Sequence, residues 1–229
     1  MKLSYRFEQA QRGIDPGNTR NWQVNSKIWI CEAPHSIEYQ LPFLSCLQDD
    51  RTKFMQHLQD IQPLQQANDL GLPFDAELIP DKLYWGRKGR YKGELPPLFH
   101  NAFTYLRADV ADIFRKYALG QGGLRTIELF QSDSTPIANQ KVFALVLGNA
   151  RETLDYEASD LEVHRNQKGR LILPLSTQGK AFKVRSGFEV ATDLWVDPYV
   201  SEGFFLSDRL VQALLKIASP KALALLPVE

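Results

Sequence analysis

The sequence predicts an α+β fold, a mostly antiparallel sheet covered by helices. Three observations predict it. Short runs rich in β-branched and aromatic residues, separated by turn residues, outnumber the helical segments. Two stretches carry similar helix-period apolar spacing and each is followed by a short strand, so one helix–strand unit is used twice, over 104–130 and 204–228. Residues 141–149, KVFALVLGN, form a nearly continuous apolar run that suits a central strand buried on both faces.

Taken in order, KLSYRFEQ over 2–9 and KIWICEA over 27–33 read as strands. Between them, Asp15-Pro16-Gly17 is turn chemistry, a fixed φ followed by a permissive residue. Residues 51–70 place Phe54, Leu58, Ile61 and Leu64 on one helical face, with Pro63 expected to kink or split the helix and Gly71 and Pro73 to stop it. Residues 85–97 read as an irregular connector rich in Gly and basic residues.

At an offset of 100, 105–118 aligns with 205–218, matching Tyr105 with Phe205, Leu106 with Leu206, Val110 with Leu210 and Phe114 with Leu214. Both segments read as helices, 104–118 and 205–218. Ser207 suits an N-cap, whereas Arg107 is a poor one, so the first helix is expected to begin at Thr104. Gly120 ends the first helix and Ser219-Pro220 the second. The strands LRTIELF and LALLPV follow, the second after a shorter loop. Each helix also has a Pro and aromatic lead-in, Pro97-Leu98-Phe99 and Pro198-Tyr199. Residues 160–175 read as a hairpin turning at Asn166-Gln167-Lys168-Gly169, and 180–184 and 190–197 as further strands. The expected organisation is an N-terminal α/β segment, 1–80, packed on an α+β domain, 81–229.

With 229 residues the chain can bury a core without disulfide or metal staples. Its 27 basic residues equal its 27 acidic ones, which argues against a dedicated nucleic-acid binder. Two unclustered cysteines, Cys31 and Cys46, suit a reducing compartment. The opening MKLSYRFEQAQRG has no apolar signal core, and no run approaches the ~18 apolar residues of a membrane helix. A cytoplasmic protein without membrane contact is expected.

No catalytic constellation stands out. His35, His57, His100 and His164 lack metal-ligand spacing. Cys31 lies four residues before His35, but without an acidic orienter it reads as a buried thiol at a strand end. Gly120-Gln121-Gly122-Gly123 follows a helix instead of opening one, so it faces the negative end of the helix dipole and reads as a helix stop and a loop. No metal, cofactor or catalytic residue is expected. Two charged stretches remain. WGRKGRYKG, 85–93, interleaves four basic residues with Trp85 and Tyr91 and reads as an exposed loop. Residues 152–163 carry Glu152, Asp155, Glu157, Asp160 and Glu162 around Tyr156 and no basic residue, a surface suited to a basic partner.

The stretches PDKLYWGRKGRYKGELPPLFHNAFTYLRADVADIFRKY, VFALVLGNARETLDYEASDLEV with GRLILPLS, and FFLSDRLVQALLKIASPKALALLPV together resemble a bacterial immunity-protein family of polymorphic toxin systems. It is the eleventh of the numbered immunity families, formerly a domain of unknown function. The resemblance covers roughly 80–229, and the first helix departs from the family pattern by carrying Arg107 where Ser is common. It implies a non-enzyme without cofactors that binds and neutralises a toxin encoded by an adjacent gene. The family shares no catalytic residues, so none is carried over. The partner-binding candidates are Asp155, Tyr156, Glu157, Asp160, Glu162, Trp85 and Tyr91. The alternative is an enzyme of unknown small-molecule chemistry, for example one that reverses a toxin's modification, and a deep pocket with convergent ionisable groups would be its mark.

Overall fold

The structure, a computed structural model, describes residues 27–47, 51–159, 171–172, 182–201 and 203–228. In chain order the strands are β1 (Ile28–Cys31), β2 (Phe43–Leu44), β3 (Lys82–Trp85), β4 (Leu98–Asn101), β5 (Phe103–Arg107), β6 (Gly123–Phe130), β7 (Val142–Val146), β8 (Leu171–Ile172), β9 (Leu194–Trp195), β10 (Val200–Ser201), β11 (Phe204–Ser207) and β12 (Leu225–Val228). The helices are α1 (Arg51–Asp69), α2 (Ala108–Phe114) and α3 (Asp208–Leu214). The fold is α+β, as its alternating patterns predict. One sheet has the order β12-β1-β11-β9 and is wholly antiparallel. The other runs β2-β3-β6-β7-β5-β4 and is antiparallel except between β3 and β6. Strands β8 and β10 form a separate parallel pair.

The repeated unit is larger than a helix and a strand. Within the six-stranded sheet, β6-β7-β5-β4 reproduces the order β12-β1-β11-β9, with every neighbour antiparallel. The registers agree residue by residue. Leu106 faces Phe143 and Leu98, and Leu206 faces Trp29 and Leu194. Tyr105 faces Ala144 as Phe205 faces Ile30. Even the ring stacking recurs, Phe99 on Tyr105 at 5.1 Å and Trp195 on Phe205 at 5.9 Å. The central strand is β7 in the first unit and follows it in the chain. In the second unit β1 fills that place from the other end of the sequence. A strand from near the start of the described chain is thus threaded between two strands from its end.

Several expectations are corrected. The two helices begin at Ala108 and Asp208, later than the apolar spacing predicts, because Thr104 to Arg107 and Phe205 to Ser207 are extended and paired. Tyr105 and Leu106, like Phe205 and Leu206, are apolar toward both faces and have a strand on either edge, so the sheets bury them more fully than one helix face could. The helices end at residues 114 and 214, short of Gly120 and Ser219, and continue as single turns. Ser207 is the N-cap of α3, its hydroxyl accepting from Leu210 N at 3.3 Å. Arg107 occupies the same position without a side-chain cap and pairs instead with Asp109 at 2.8 Å. The structural counterpart of Pro97-Leu98-Phe99 is Asp193-Leu194-Trp195, not Pro198-Tyr199: Arg107 N donates to Pro97 O as Ser207 N does to Asp193 O. Leu225, not Leu223, matches Leu124, so the second connection is the longer one. Helix α1 runs unbroken through Pro63. Both Pro63 and Gln59, four residues before it, are exposed, so water can serve the carbonyl that the proline leaves without a donor. Of the 160–175 hairpin only 171–172 is described, and it pairs with 200–201. The strand expected at 2–9 lies outside the described residues, and 182–184 contributes only a bridge between Val184 and Leu154.

Each strand alternates, and the two faces go to different cores. Leu98, Leu106, Phe143 and Leu145 point to one side of their sheet, and Trp29, Cys31, Leu194 and Leu206 to one side of the other. Between them lie Val110, Ala111 and Phe114 of α2 and their counterparts Leu210, Val211 and Leu214 of α3, all in the same cluster. The two helices are therefore the middle layer, with a sheet on either side. The far face of the six-stranded sheet holds Phe43, Phe99, Phe103, Tyr105, Val142 and Ala144. That sheet curls on itself: Gln40, just before β2, bridges His100 of β4, and Asn101 Nδ2 donates to Phe43 O. The far face of the other sheet packs Ile28, Ile30, Trp195 and Phe205 against Leu154 and Phe182.

Leu214 and Phe114 sit at matched positions in the middle layer, 1% and 2% exposed. Leu214→Ala is expected to cost about 2–5 kcal/mol and Phe114→Ala about 3–5 kcal/mol. Urea midpoints measure both, and a midpoint at the wild-type value for either would show that its side chain does not carry the core.

Candidate functional site

Two buried aspartates, absent from the sequence-based candidates, organise the polar interior. Asp193 is fully buried just before β9. Arg209 donates to both its oxygens, Nε to Oδ1 at 2.5 Å and Nη2 to Oδ2 at 2.6 Å. Ala118 N donates to Oδ2 at 2.7 Å, and the Ser207 hydroxyl donates to Oδ1. The carboxylate thus joins the turn after α2 to the first turn of α3. Beside it, Asn149 Nδ2 donates to the carbonyls of Leu119, Leu147 and Leu194, and its Oδ1 accepts from Gln121 N at 2.9 Å. This explains the Gly120-Gln121-Gly122-Gly123 stretch. Gly120 adopts φ +61°, and a Cβ there would collide with the Asn149 side chain. The Gln121 amide is spent on Asn149, which agrees with reading the stretch as a loop and not as an anion cradle.

Asp197, also fully buried, holds the acidic stretch. It accepts from Thr153 N at 2.8 Å, Leu154 N at 3.1 Å, Tyr199 N at 3.0 Å and the Tyr156 hydroxyl at 2.5 Å. Burial first, and then this hydrogen bond, push the Tyr156 phenol upward, so it stays protonated and donating. Thr153 Oγ1 accepts from Trp195 Nε1 at 2.7 Å. Asp155 caps the following turn, accepting from Glu157 N at 3.2 Å and Ala158 N at 3.0 Å. The result is a braced turn. Glu157 is exposed, Glu152 is exposed and pairs with Arg185 at 2.6 Å, and Tyr199 is 46% exposed. Of the sequence candidates here, Glu157 faces solvent, while Asp155 and Tyr156 are half-buried and have structural tasks. Asp160 and Glu162 lie outside the described residues.

Trp85 and Tyr91 do not stand free on the basic loop. Both are half-buried and pack edge-on against Phe43, each with its ring centre 5.3 Å away, and against each other at 4.9 Å. Tyr91 N donates to Gln131 Oε1 at 2.8 Å, and its hydroxyl donates to Glu94 O at 2.9 Å. The aromatics of this loop clasp it to the curled end of the six-stranded sheet, and Arg87, Lys88, Arg90 and Lys92 remain exposed.

The suspected Cys31 and His35 pair is not built for nucleophilic attack. Burial pushes the Cys31 thiol up to about 12, and its Sγ lies 3.5 Å from Leu223 O as a donor. His57 Nε2 meets Ser45 Oγ at 2.6 Å, linking α1 to the segment after β2. His164 lies outside the described residues. Among the described residues no three His, Cys, Asp or Glu side chains gather at metal-binding spacing. No described helix is long and apolar enough to cross a membrane.

A groove large enough for a ligand, about 700 Å³, lies between α1, the 34–42 loop and the β4–β5 turn. Gln62, Gln65 and Gln66 of α1 face Gln40, His100 and Asn101 across it. The turn residue Ala102 has φ +63°, a left-handed conformation that a non-glycine residue rarely takes. His100 Nδ1 lies 3.3 Å from Thr104 Oγ1, and desolvation pushes its pKa down to about 4. Periodicity could not reveal this groove, because its walls are far apart in the chain.

Asp193→Ala is expected to destabilise by about 3–5 kcal/mol, since it leaves the Ala118 amide and the Ser207 hydroxyl without this acceptor and removes the carboxylate that Arg209 grips. Chemical denaturation reads this, and a loss below about 1 kcal/mol would remove Asp193 from its joining role. His100 gives a pH signature. Its folded pKa is below its unfolded one, so the unfolded chain binds the extra proton between about 6.5 and about 4. Stability falls as the pH drops through that window, by up to ~3 kcal/mol, and is unaffected above it. His100→Gln should flatten that part of the stability–pH curve.

Compared with protein-family models and with curated proteins, the chain matches none.

Proposed function

We propose that this chain is an immunity protein: it binds and neutralises a delivered antibacterial toxin in the cytoplasm, without catalysis. The resemblance of 80–229 to an immunity family first suggests this reading. The observation that carries it furthest is the acidic turn over Asp197. Three hydrogen bonds to one buried carboxylate, from Thr153 N, Leu154 N and the Tyr156 hydroxyl, hold that turn in place before any partner arrives. A pre-formed turn loses little conformational freedom on binding. Its outward charge is negative, which steers and selects a basic partner. The buried machinery elsewhere favours the same reading: Cys31 is held protonated, and Asp193, Asp197 and Asn149 spend their polar atoms on backbone and neighbouring side chains.

The groove beside α1 favours the alternative, an enzyme of small-molecule chemistry, because His100 sits there with Asp69 and Arg87 in the same lining. Single substitutions separate the two. An immunity protein acting by binding keeps its protection in His100→Gln wherever the fold survives.

The direct test uses the product of the adjacent reading frame as the partner, co-expressed and co-purified. Glu157, Asp160 and Glu162 are reversed to Lys together, sparing Asp155 because it caps the turn. Association is expected to slow by about tenfold at low salt and to lose most of its salt dependence. Unchanged rates would move the interface away from this turn, and absence of any complex would remove the immunity reading.

A further inference from the structure

A second cavity, about 390 Å³, opens beside the acidic turn, and its lining includes Arg151, Glu152, Arg185, Phe188 and Glu189. Its most unusual member is Arg151. Among the described residues the Arg151 guanidinium has no hydrogen-bond partner. It lies instead over the Phe188 ring, 5.1 Å from the centroid. Phe188 in turn packs on Trp195 at 5.7 Å, and Trp195 stacks on Phe205 at 5.9 Å. A column of three aromatic rings therefore runs from the core to the floor of the cavity and ends under a cation. Trp195 is fixed from the side by its bond to Thr153, and the Arg151 backbone N donates to Val196 O at 2.8 Å. The guanidinium is positioned by packing on the Phe188 ring, and Arg151 lines the cavity.

Arg185, across the cavity, is held differently. It pairs with Glu152 at 2.6 Å, and both side chains are about half exposed, 47% and 46%. An ion pair that exposed is weak and exchanges easily. Burial disfavours the charge on Arg151, with Glu189 opposing that effect from nearby. Among the described residues, then, no anion is in direct contact with the fixed cation of this site.

We infer that this cavity is a binding site for a carboxylate, with Arg151 as the bidentate anchor and Arg185 as a second donor released from Glu152 when the ligand enters. A planar carboxylate matches the guanidinium fork. A phosphate suits the site less well. It carries about −1.5 to −2 charge, whereas Glu152 and Glu189 already supply two negative charges against two arginines. A single added charge is accommodated by the exchange at Arg185. This inference does not rest on the partner-binding reading above, because it is argued from Arg151, Phe188 and Arg185, which are not among the partner-binding candidates.

Calorimetric titration of the full chain with sodium benzoate, and in parallel with inorganic phosphate, tests the assignment. Benzoate is expected to bind saturably and several-fold more tightly than phosphate. Arg151→Lys keeps the charge and the aliphatic stem but loses the fork, and should weaken benzoate about tenfold. Glu152→Gln removes the internal competitor for Arg185 and should tighten benzoate about threefold, a gain that a damaged fold would not produce. A heat signal that does not saturate, or affinity unchanged in both variants, or tighter binding of phosphate than of benzoate, would overturn it.

Discussion

The fold depends on one carboxylate with no exposure to water. Asp193 accepts from the amide that follows α2, from the hydroxyl that caps α3 and from the arginine in the first turn of α3. These groups belong to opposite halves of the molecule. Two units of the same topology can pack face to face through their helices in many ways, since apolar contact is non-directional. Directional bonds from a buried anion select one of them. The cost of burying that charge is met by a bidentate arginine and two further donors, the condition under which a buried carboxylate is tolerated. Asn149 does the same with neutral groups next door, tying three carbonyls from three segments.

Because the middle layer is used up by α2 and α3, any recognition must come from the outside. The outer face of each sheet is covered by further chain, and there the two halves cease to resemble each other. Over the six-stranded sheet lie Leu64 of α1 and Tyr91, which packs on Trp85 of β3, with an amide-lined groove at the edge. Over the four-stranded sheet lie the acidic turn and the arginine cavity, joined through Asp197, Thr153 and Trp195. The same aromatic position, Phe99 in one half and Trp195 in the other, is merely packed in the first. In the second its indole N–H and its ring face support the acidic turn and the arginine cavity. One scaffold used twice has thus been given different surfaces by the segments laid over it.

The apolar spacing in the sequence made the class of the fold legible, along with the buried strand at 142–146 and the offset of 100 between the halves. Ser207 as a cap was legible because capping is local chemistry. The helix starts were not, since Thr104–Arg107 and Phe204–Ser207 carry apolar residues at a period compatible with either a helix or a strand buried on both faces. The match of KIWIC to KVFAL was also missed. Both runs begin with Lys and carry a large aromatic third, but only pairing shows that they occupy one position. Trp85 and Tyr91 looked like exposed anchors because neighbouring basic residues suggested a surface loop, while Phe43, their packing partner, lies far away in the chain.

What the amino-acid order determined by itself is whatever depends on neighbours within a turn or two: strand and helix periods, the Ser207 cap, the Gly120 turn and the acidic run. What tertiary structure alone decided is every group whose partner is distant. Asp193, Asp197 and Asn149 are ordinary polar residues in the sequence, and Arg151 is one arginine among many. Each acquires its role from burial and from groups brought in across the two sheets, because a polar group removed from water is worth only what its new partners supply.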